Sequence, residues 1–130
     1  MRKIKILLID SDPPTRQLTK VLLERSLSLG SEVITSATTR EAEEILKKEN
    51  NIDAVVSGIM LKSQNNEAED GFELLKRIKL ISPKIPVIAF TAADEPGIKR
   101  KCLKAGFADY ANKLNTSKLP GIIMKQVPCD

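Results

Sequence analysis

The sequence predicts a doubly wound α/β fold, with five parallel strands in the order 2-1-3-4-5 sandwiched between two layers of helices. Three observations carry this. Apolar runs at residues 4–9, 54–57 and 87–90 are short and nearly unbroken, the pattern of strands covered on both faces. Between them lie segments of helical period, several opened by a helix-start residue. The two kinds of segment alternate five times in 130 residues, the size of one domain, and that order demands right-handed crossovers with helices on both faces.

The elements follow in turn. Residues 4–9, apolar apart from Lys5, form the first strand. Asp12 is placed to cap the first helix, with Pro13 and Pro14 where a missing N–H does no harm. Leu18, Val21, Leu22 and Leu29 recur at near-helical spacing as its inner face, and Gly30 offers a left-handed stop. Residues 32–36 form a weaker strand around Val33 and Ile34. Thr38-Thr39-Arg40-Glu41 reads as a capping box, opening a helix that turns Ala42, Ile45 and Leu46 inward and Glu43, Glu44, Lys47 and Lys48 to water; Asn50-Asn51 ends it.

The third strand, 54–57, runs into Gly58. A polar loop, 62–70, follows, and then a helix from Gly71 or Phe72 to Ile81 with Phe72, Leu75 and Ile78 inward. Pro83 and Pro86 precede the fourth strand, 87–90, which ends at Thr91. Asp94 is placed to cap the fourth helix, with Pro96 in its first turn, Ile98, Cys102 and Leu103 along it and Gly106 as its stop. A short strand, 109–111, leads to Lys113. The last helix, about 117–126, tolerates Pro120 only in its first turn, and Gly121 weakens it by about 1 kcal/mol relative to Ala, so it is expected short and easily frayed. Pro128-Cys129-Asp130 reads as a tail.

Composition excludes several classes. Apolar residues at 42% and charged residues at 29% are ordinary for a globular chain, and aromatics at 3% imply an aliphatic core. The positive start Met1-Arg2-Lys3-Ile4-Lys5 is followed by an apolar run that Asp10 cuts short, with no small-residue cleavage site. No stretch approaches the roughly 20 apolar residues of a membrane span, so a soluble, cytoplasmic protein without membrane partners is expected. Cys102 and Cys129 lack metal-ligand spacing and read as reduced thiols. The net charge of +4 comes from scattered cations without stacking aromatics, so direct nucleic-acid binding is not expected.

In a sheet of this order, ligands bind beyond the carboxyl ends of the strands at the first-to-third switch point. The residues there are Asp10, Ser11, Gly58, Thr91 and Lys113. Around them, Ile6-Leu7-Leu8-Ile9-Asp10-Ser11-Asp12-Pro13 with Arg16, Asp70-Gly71-Phe72-Glu73-Leu74-Leu75, Ile85-Pro86-Val87-Ile88-Ala89-Phe90-Thr91-Ala92 and Ala105-Gly106-Phe107-Ala108-Asp109-Tyr110-Ala111-Asn112-Lys113 resemble the motifs of response regulator receiver domains. The resemblance covers essentially the whole chain as one domain, 1–130. It implies a flavodoxin-like three-layer fold in two-component, phosphorelay signalling, where a histidine kinase donates a phosphoryl group to an aspartate beside Mg²⁺. Asp10 then matches the first of two consecutive acids, Thr91 the threonine and Lys113 the lysine that contact the phosphoryl oxygens, and Tyr110 the switch aromatic.

Two positions depart from the pattern. Ser11 stands for the second acid and Gly58 for the phosphoacceptor, and glycine supplies no nucleophile. Only Asp10 and the Met60 carbonyl remain at the family's Mg²⁺ positions, so Mg²⁺ is expected to bind weakly or not at all. A complete pocket has two net negative charges for a divalent ion to cancel, whereas Asp10 and Lys113 sum to zero. Ser57, one residue along the strand, should aim away from the crevice. The 62–70 loop is longer than the family norm, has Lys62 in place of the usual proline, and carries Glu67, Glu69 and Asp70, any of which could fold back over the gap. The structural alternatives are that Asp10 pairs with Lys113, Thr91 caps its loop and Tyr110 is fixed in packing.

Lys99, Arg100, Lys101 and Lys104 give the fourth helix a basic outer face. In receivers the face made by the fourth helix, fifth strand and fifth helix commonly docks partners, so this patch beside Tyr110 suggests an acidic signalling protein, with a histidine kinase the other implied partner. The expectation is a degenerate pseudo-receiver, not an enzyme, that signals by protein binding without phosphorylation at the usual site. The alternative is a module binding a small anionic ligand in the emptied crevice through Lys113 and Thr91; no glycine-rich phosphate loop follows the first strand. Partner, pathway and oligomeric state stay open.

Overall fold

The computed structural model describes residues 3–127 except 28, 29, 64, 66 and 94. In chain order the elements are β1 (Lys5–Ile9), α1 (Pro13–Ser26), β2 (Glu32–Ser36), α2 (Thr39–Lys48), β3 (Ala54–Ser57), β4 (Met60–Lys62), β5 (Ala68–Asp70), α3 (Gly71–Ile81), β6 (Val87–Thr91), α4 (Ile98–Ala105), β7 (Asp109–Asn112), a 3-10 segment (Lys113–Lys118) and α5 (Leu119–Gln126). The main sheet has the order β2-β1-β3-β6-β7, every pair parallel. With the β4–β5 hairpin set aside, this is the expected 2-1-3-4-5 order.

Side-chain alternation divides the core into two layers. Leu7, Ile9, Val55, Val87 and Ala89 pack with Ala42, Leu46, Leu75, Ile78, Ile98 and Cys102 on one face of the sheet. Ile6, Leu8, Val56, Ile88 and Phe90 pack with Leu23, Leu27, Leu119 and Ile123 on the other. Each large aliphatic side chain taken fully from water contributes about 1.5–3 kcal/mol, so the β1 and β6 runs alone anchor both layers. The register aligns Ile9 with both Ser36 and Ser57, and Thr91 with Asn112, so the residues that follow these strands converge on one edge.

Local signals set the helix starts. Asp12 caps α1 by accepting from Thr15 N at 3.2 Å, with both prolines in the first turn. Thr38 accepts from Glu41 N at 3.2 Å, and the Glu41 carboxylate reaches back to Ala37 N at 2.9 Å. Asp70 caps α3 through Phe72 N at 2.9 Å.

Several expectations are corrected. The inner face of α1 is Thr19 and Leu23, continued by Leu27, while Leu18 is 73% and Val21 44% exposed. Two stripes compete on this helix, and the one that packs contains a threonine that apolar counting passes over; Leu29 lies outside the described residues. The polar segment 62–70 is no simple loop, because β4 and β5 pair antiparallel, Leu61 opposite Glu69, around a turn in which Ser63 N donates to Glu67 O at 2.8 Å. Helix α4 starts at Ile98 after Gly97, whose φ is +82°, so Pro96 stands outside it, and Leu103 turns outward at 43% exposure. Asp94, the expected cap, lies outside the described residues, as do Cys129 and the 128–130 tail. Glu43 meets Arg77 of α3 at 3.8 Å instead of standing free in water. A 3-10 segment precedes α5, which begins at Leu119 with Pro120 in its first turn. Among the described residues no helix is long and apolar enough to cross a membrane.

Candidate functional site

The edge where β1, β3, β6 and β7 end gathers the residues singled out from the sequence. Asp10 is 2% exposed. Its Oδ1 accepts from Asp12 N at 2.9 Å, and its carbonyl accepts from the Arg16 guanidinium at 2.7 Å. Its Oδ2 lies 2.7 Å from Lys113 Nζ. No aligned hydrogen bond reaches Oδ2 among the described residues, so this contact is mainly Coulombic. The Lys113 ammonium also sits 5.7 Å above the centre of the Phe90 ring.

Ser11 faces elsewhere. Its hydroxyl donates to Ala37 O at 3.0 Å and accepts from Lys62 N at 2.7 Å, tying the β1 end to the residue after β2 and to the hairpin. Asp12, fully exposed, is held below the usual carboxylate range by its hydrogen bonds from the Thr15 hydroxyl and backbone N–H.

Gly58 is buried, and its N–H donates to Ile9 O at 3.0 Å. A Cβ added there would lie 3.1 Å from Leu61 Cδ2 and 3.7 Å from Ile9 O. Leu61, 2% exposed, is thus the neighbour a larger side chain would meet first. The Ser57 hydroxyl donates to Gly58 O at 2.9 Å. Behind these residues Gly71 N donates to Ile59 O at 2.6 Å, and a Cβ at Gly71 would come within 2.6 Å of Ile59 Cα, so only glycine lets α3 approach this closely.

The loop acids have other partners. Glu69 accepts from the Thr39 hydroxyl at 2.7 Å, Asp70 caps α3, and Glu67 is exposed in the hairpin turn. Thr91, 3% exposed, accepts from Ala93 N at 3.2 Å. Tyr110 is half-buried; its hydroxyl donates to Ala93 O at 3.2 Å and accepts from Asn112 Nδ2 at 3.2 Å. Lys99, Arg100, Lys101 and Lys104 are exposed on α4, with Lys101 Nζ 5.2 Å above the Phe72 ring.

Sequence reasoning missed Asn112 and Leu61. A signal for Leu61 was present, since it is the lone aliphatic residue between Met60 and the polar run. Asn112 carried none beyond its place before Lys113.

The family model for the response regulator receiver domain matches residues 6–123. The chain belongs to the response regulator receiver family. This receiver is 34% identical over 122 residues to the two-component response regulator ORR1 of rice (Oryza sativa subsp. japonica), a match covering 88% of the chain and 51% of ORR1. It is 32% identical over 108 residues to the sensor histidine kinase RcsC of Escherichia coli, covering 83% of the chain and 10% of RcsC. A receiver domain from Clostridium thermocellum superposes with a TM-score of 0.80 at 28% identity, covering 95% of this chain and 93% of that one. The chain therefore spans about half the length of ORR1 and a small part of RcsC.

The resemblance to receivers implies a divalent ion held among carboxylates. Magnesium demands near-octahedral oxygen donors, and one or two carboxylates usually anchor it. Here the buried carboxylate of Asp10 already faces an ammonium, Ser11 Oγ is bonded to Ala37 and Lys62, and position 58 offers no side chain. Among the described residues no group of three acids, cysteines or histidines is arranged to hold a metal. This donor set does not fit the ion.

Proposed function

We propose that this receiver works in two-component signalling as a protein-binding domain, without phosphorylation at position 58, without Mg²⁺ and without catalysis of its own. The supporting observation is the pairing of Asp10 with Lys113 at 2.7 Å beside a glycine. A buried acid that would otherwise need a metal is neutralised by the lysine, and no carboxylate stands where a phosphoryl group would be received.

Charge supports one class of partner. Lys99, Arg100 and Lys104 flank exposed Leu103 on α4. Cations around an apolar centre suit an acidic protein surface carrying an apolar side chain, with charge setting orientation and encounter rate. A histidine kinase or another signalling protein bearing such a surface is the partner class. The anion-binding alternative draws no support from the crevice, because an incoming anion would have to compete with Asp10 for Lys113.

Incubation with acetyl phosphate and Mg²⁺ followed by intact-mass measurement tests the proposal. The expected result is an unchanged mass, and a stable gain of one phosphoryl group at any residue overturns it.

A further inference from the structure

We infer that Asn112 is a positioning residue that latches Tyr110 in its inward orientation, presetting the face formed by β7 and α4. The amide works from both ends. Its Nδ2 donates to Tyr110 Oη at 3.2 Å, and its Oδ1 accepts from Leu114 N at 2.8 Å. Tyr110 Oη in turn donates to Ala93 O at 3.2 Å, so a continuous chain runs from the segment ahead of α4, through the phenol, to the turn after Lys113. Lys113 is fixed on its other side by Asp10.

Each part of this chain removes freedom from the next. The bond to Leu114 N holds the Asn112 side chain in place at the start of the 3-10 segment. That leaves its NH₂ group aimed at the phenol, which donates onward and so keeps both its donor and its acceptor capacity in use. The ring itself packs against the core layer that contains Ile98 and Cys102 of α4. An outward rotation would break two hydrogen bonds and expose the ring edge, and nothing in this chain of contacts depends on a phosphoryl group. The consequence for docking rests on the protein-binding function proposed above; the latch itself does not.

The chain has one tyrosine and no tryptophan, so Tyr110 is its own fluorescence probe. Acrylamide quenching is measured on the intact chain for wild type, Asn112→Ala and Asn112→Ser, with circular dichroism to confirm folding. Serine retains a short cap for Leu114 N but cannot reach the phenol, which separates the latch from a purely local cap. Loss of one hydrogen bond shifts an inward–outward equilibrium by about two- to tenfold, so the accessible fraction of Tyr110 should rise visibly in both variants. Wild-type quenching in a folded Asn112→Ser variant overturns the latch. Because no partner is present in this measurement, its failure is distinct from failure of the docking reading, which a pull-down reports separately.

Discussion

Lys113 Nζ stands 2.7 Å from Asp10 Oδ2, joining the turn after β7 to the end of β1 across β3, the strand that Gly58 follows. The acid is 3% and the lysine 22% exposed in their side chains, so the two members are not equivalent. Removing the lysine strands a buried charge, whereas removing the acid leaves a cation that water can reach.

Lys113→Met should therefore lose about 1–3 kcal/mol of stability, below the value for a fully buried pair because the ammonium is partly solvated. Asp10→Asn should lose less. The double substitution should be more stable than the sum of the two losses implies, and urea denaturation of the four proteins in one mutant cycle measures it.

Two glycines should respond oppositely to alanine. At Gly71 the new methyl would meet Ile59 Cα at 2.6 Å, backbone that cannot step aside, and a loss of about 3 kcal/mol is expected. At Gly121, inside α5, nothing lies within 4 Å of the new Cβ, and alanine should add about 1 kcal/mol by helix propensity. Thermal midpoints of both variants decide the matter.

The cap of α1 titrates. The hydrogen bonds from Thr15 hold the Asp12 carboxyl below the usual carboxylate range, so the folded state favours the ionised form. Its stabilisation is fully present above the unfolded pKa and is lost as pH falls through the lower, folded one. An Asp12→Asn variant keeps a cap but does not titrate. The stability difference between wild type and this variant should be constant near neutrality and shrink below about pH 4, as thermal unfolding at several pH values will show.

Burial pushes the Cys102 thiol up, opposed by the nearby Lys101 charge. The side chain is fully buried in the layer beneath α4. Alkylation of Cys102 by iodoacetamide should therefore be slow in the native protein and become fast when urea unfolds it. Peptide mapping after timed labelling separates it from Cys129.

Restoring both acids by Ser11→Asp and Gly58→Asp places three carboxylates against one lysine, and Mg²⁺ affinity should rise at least about tenfold over wild type by calorimetric titration. The gain is opposed by two features of this chain. Ser11 loses its bonds to Ala37 and Lys62, and Leu61 must give by a few tenths of an ångström. A Leu61→Ala change added to the pair should increase the affinity further if Leu61 is the restraint.

Much of the fold was legible because it depends on local period. The runs at 6–9, 54–57 and 87–90 are too short for helices and too continuous for strands with one wet face, and the alternation of strand and helix requires a parallel sheet with crossovers, for which 2-1-3-4-5 is a common doubly wound order. The residues at the strand ends, Asp10, Gly58, Thr91 and Lys113, followed from that order without coordinates. Absence of a carboxylate at position 58 is likewise a property of the chain alone.

Tertiary structure decided how those residues are used. The Ser11 hydroxyl meets partners 26 and 51 residues away, and no local pattern reports such pairings. The same holds for the stripe of α1 that packs, the Leu61 side chain beside Gly58, and the Asn112 amide that joins Tyr110 to the turn after Lys113. Periodicity specifies which side of a backbone faces inward, but a short polar side chain chooses its partner from whatever the fold brings within about 3 Å, and that choice exists only once the layers have packed.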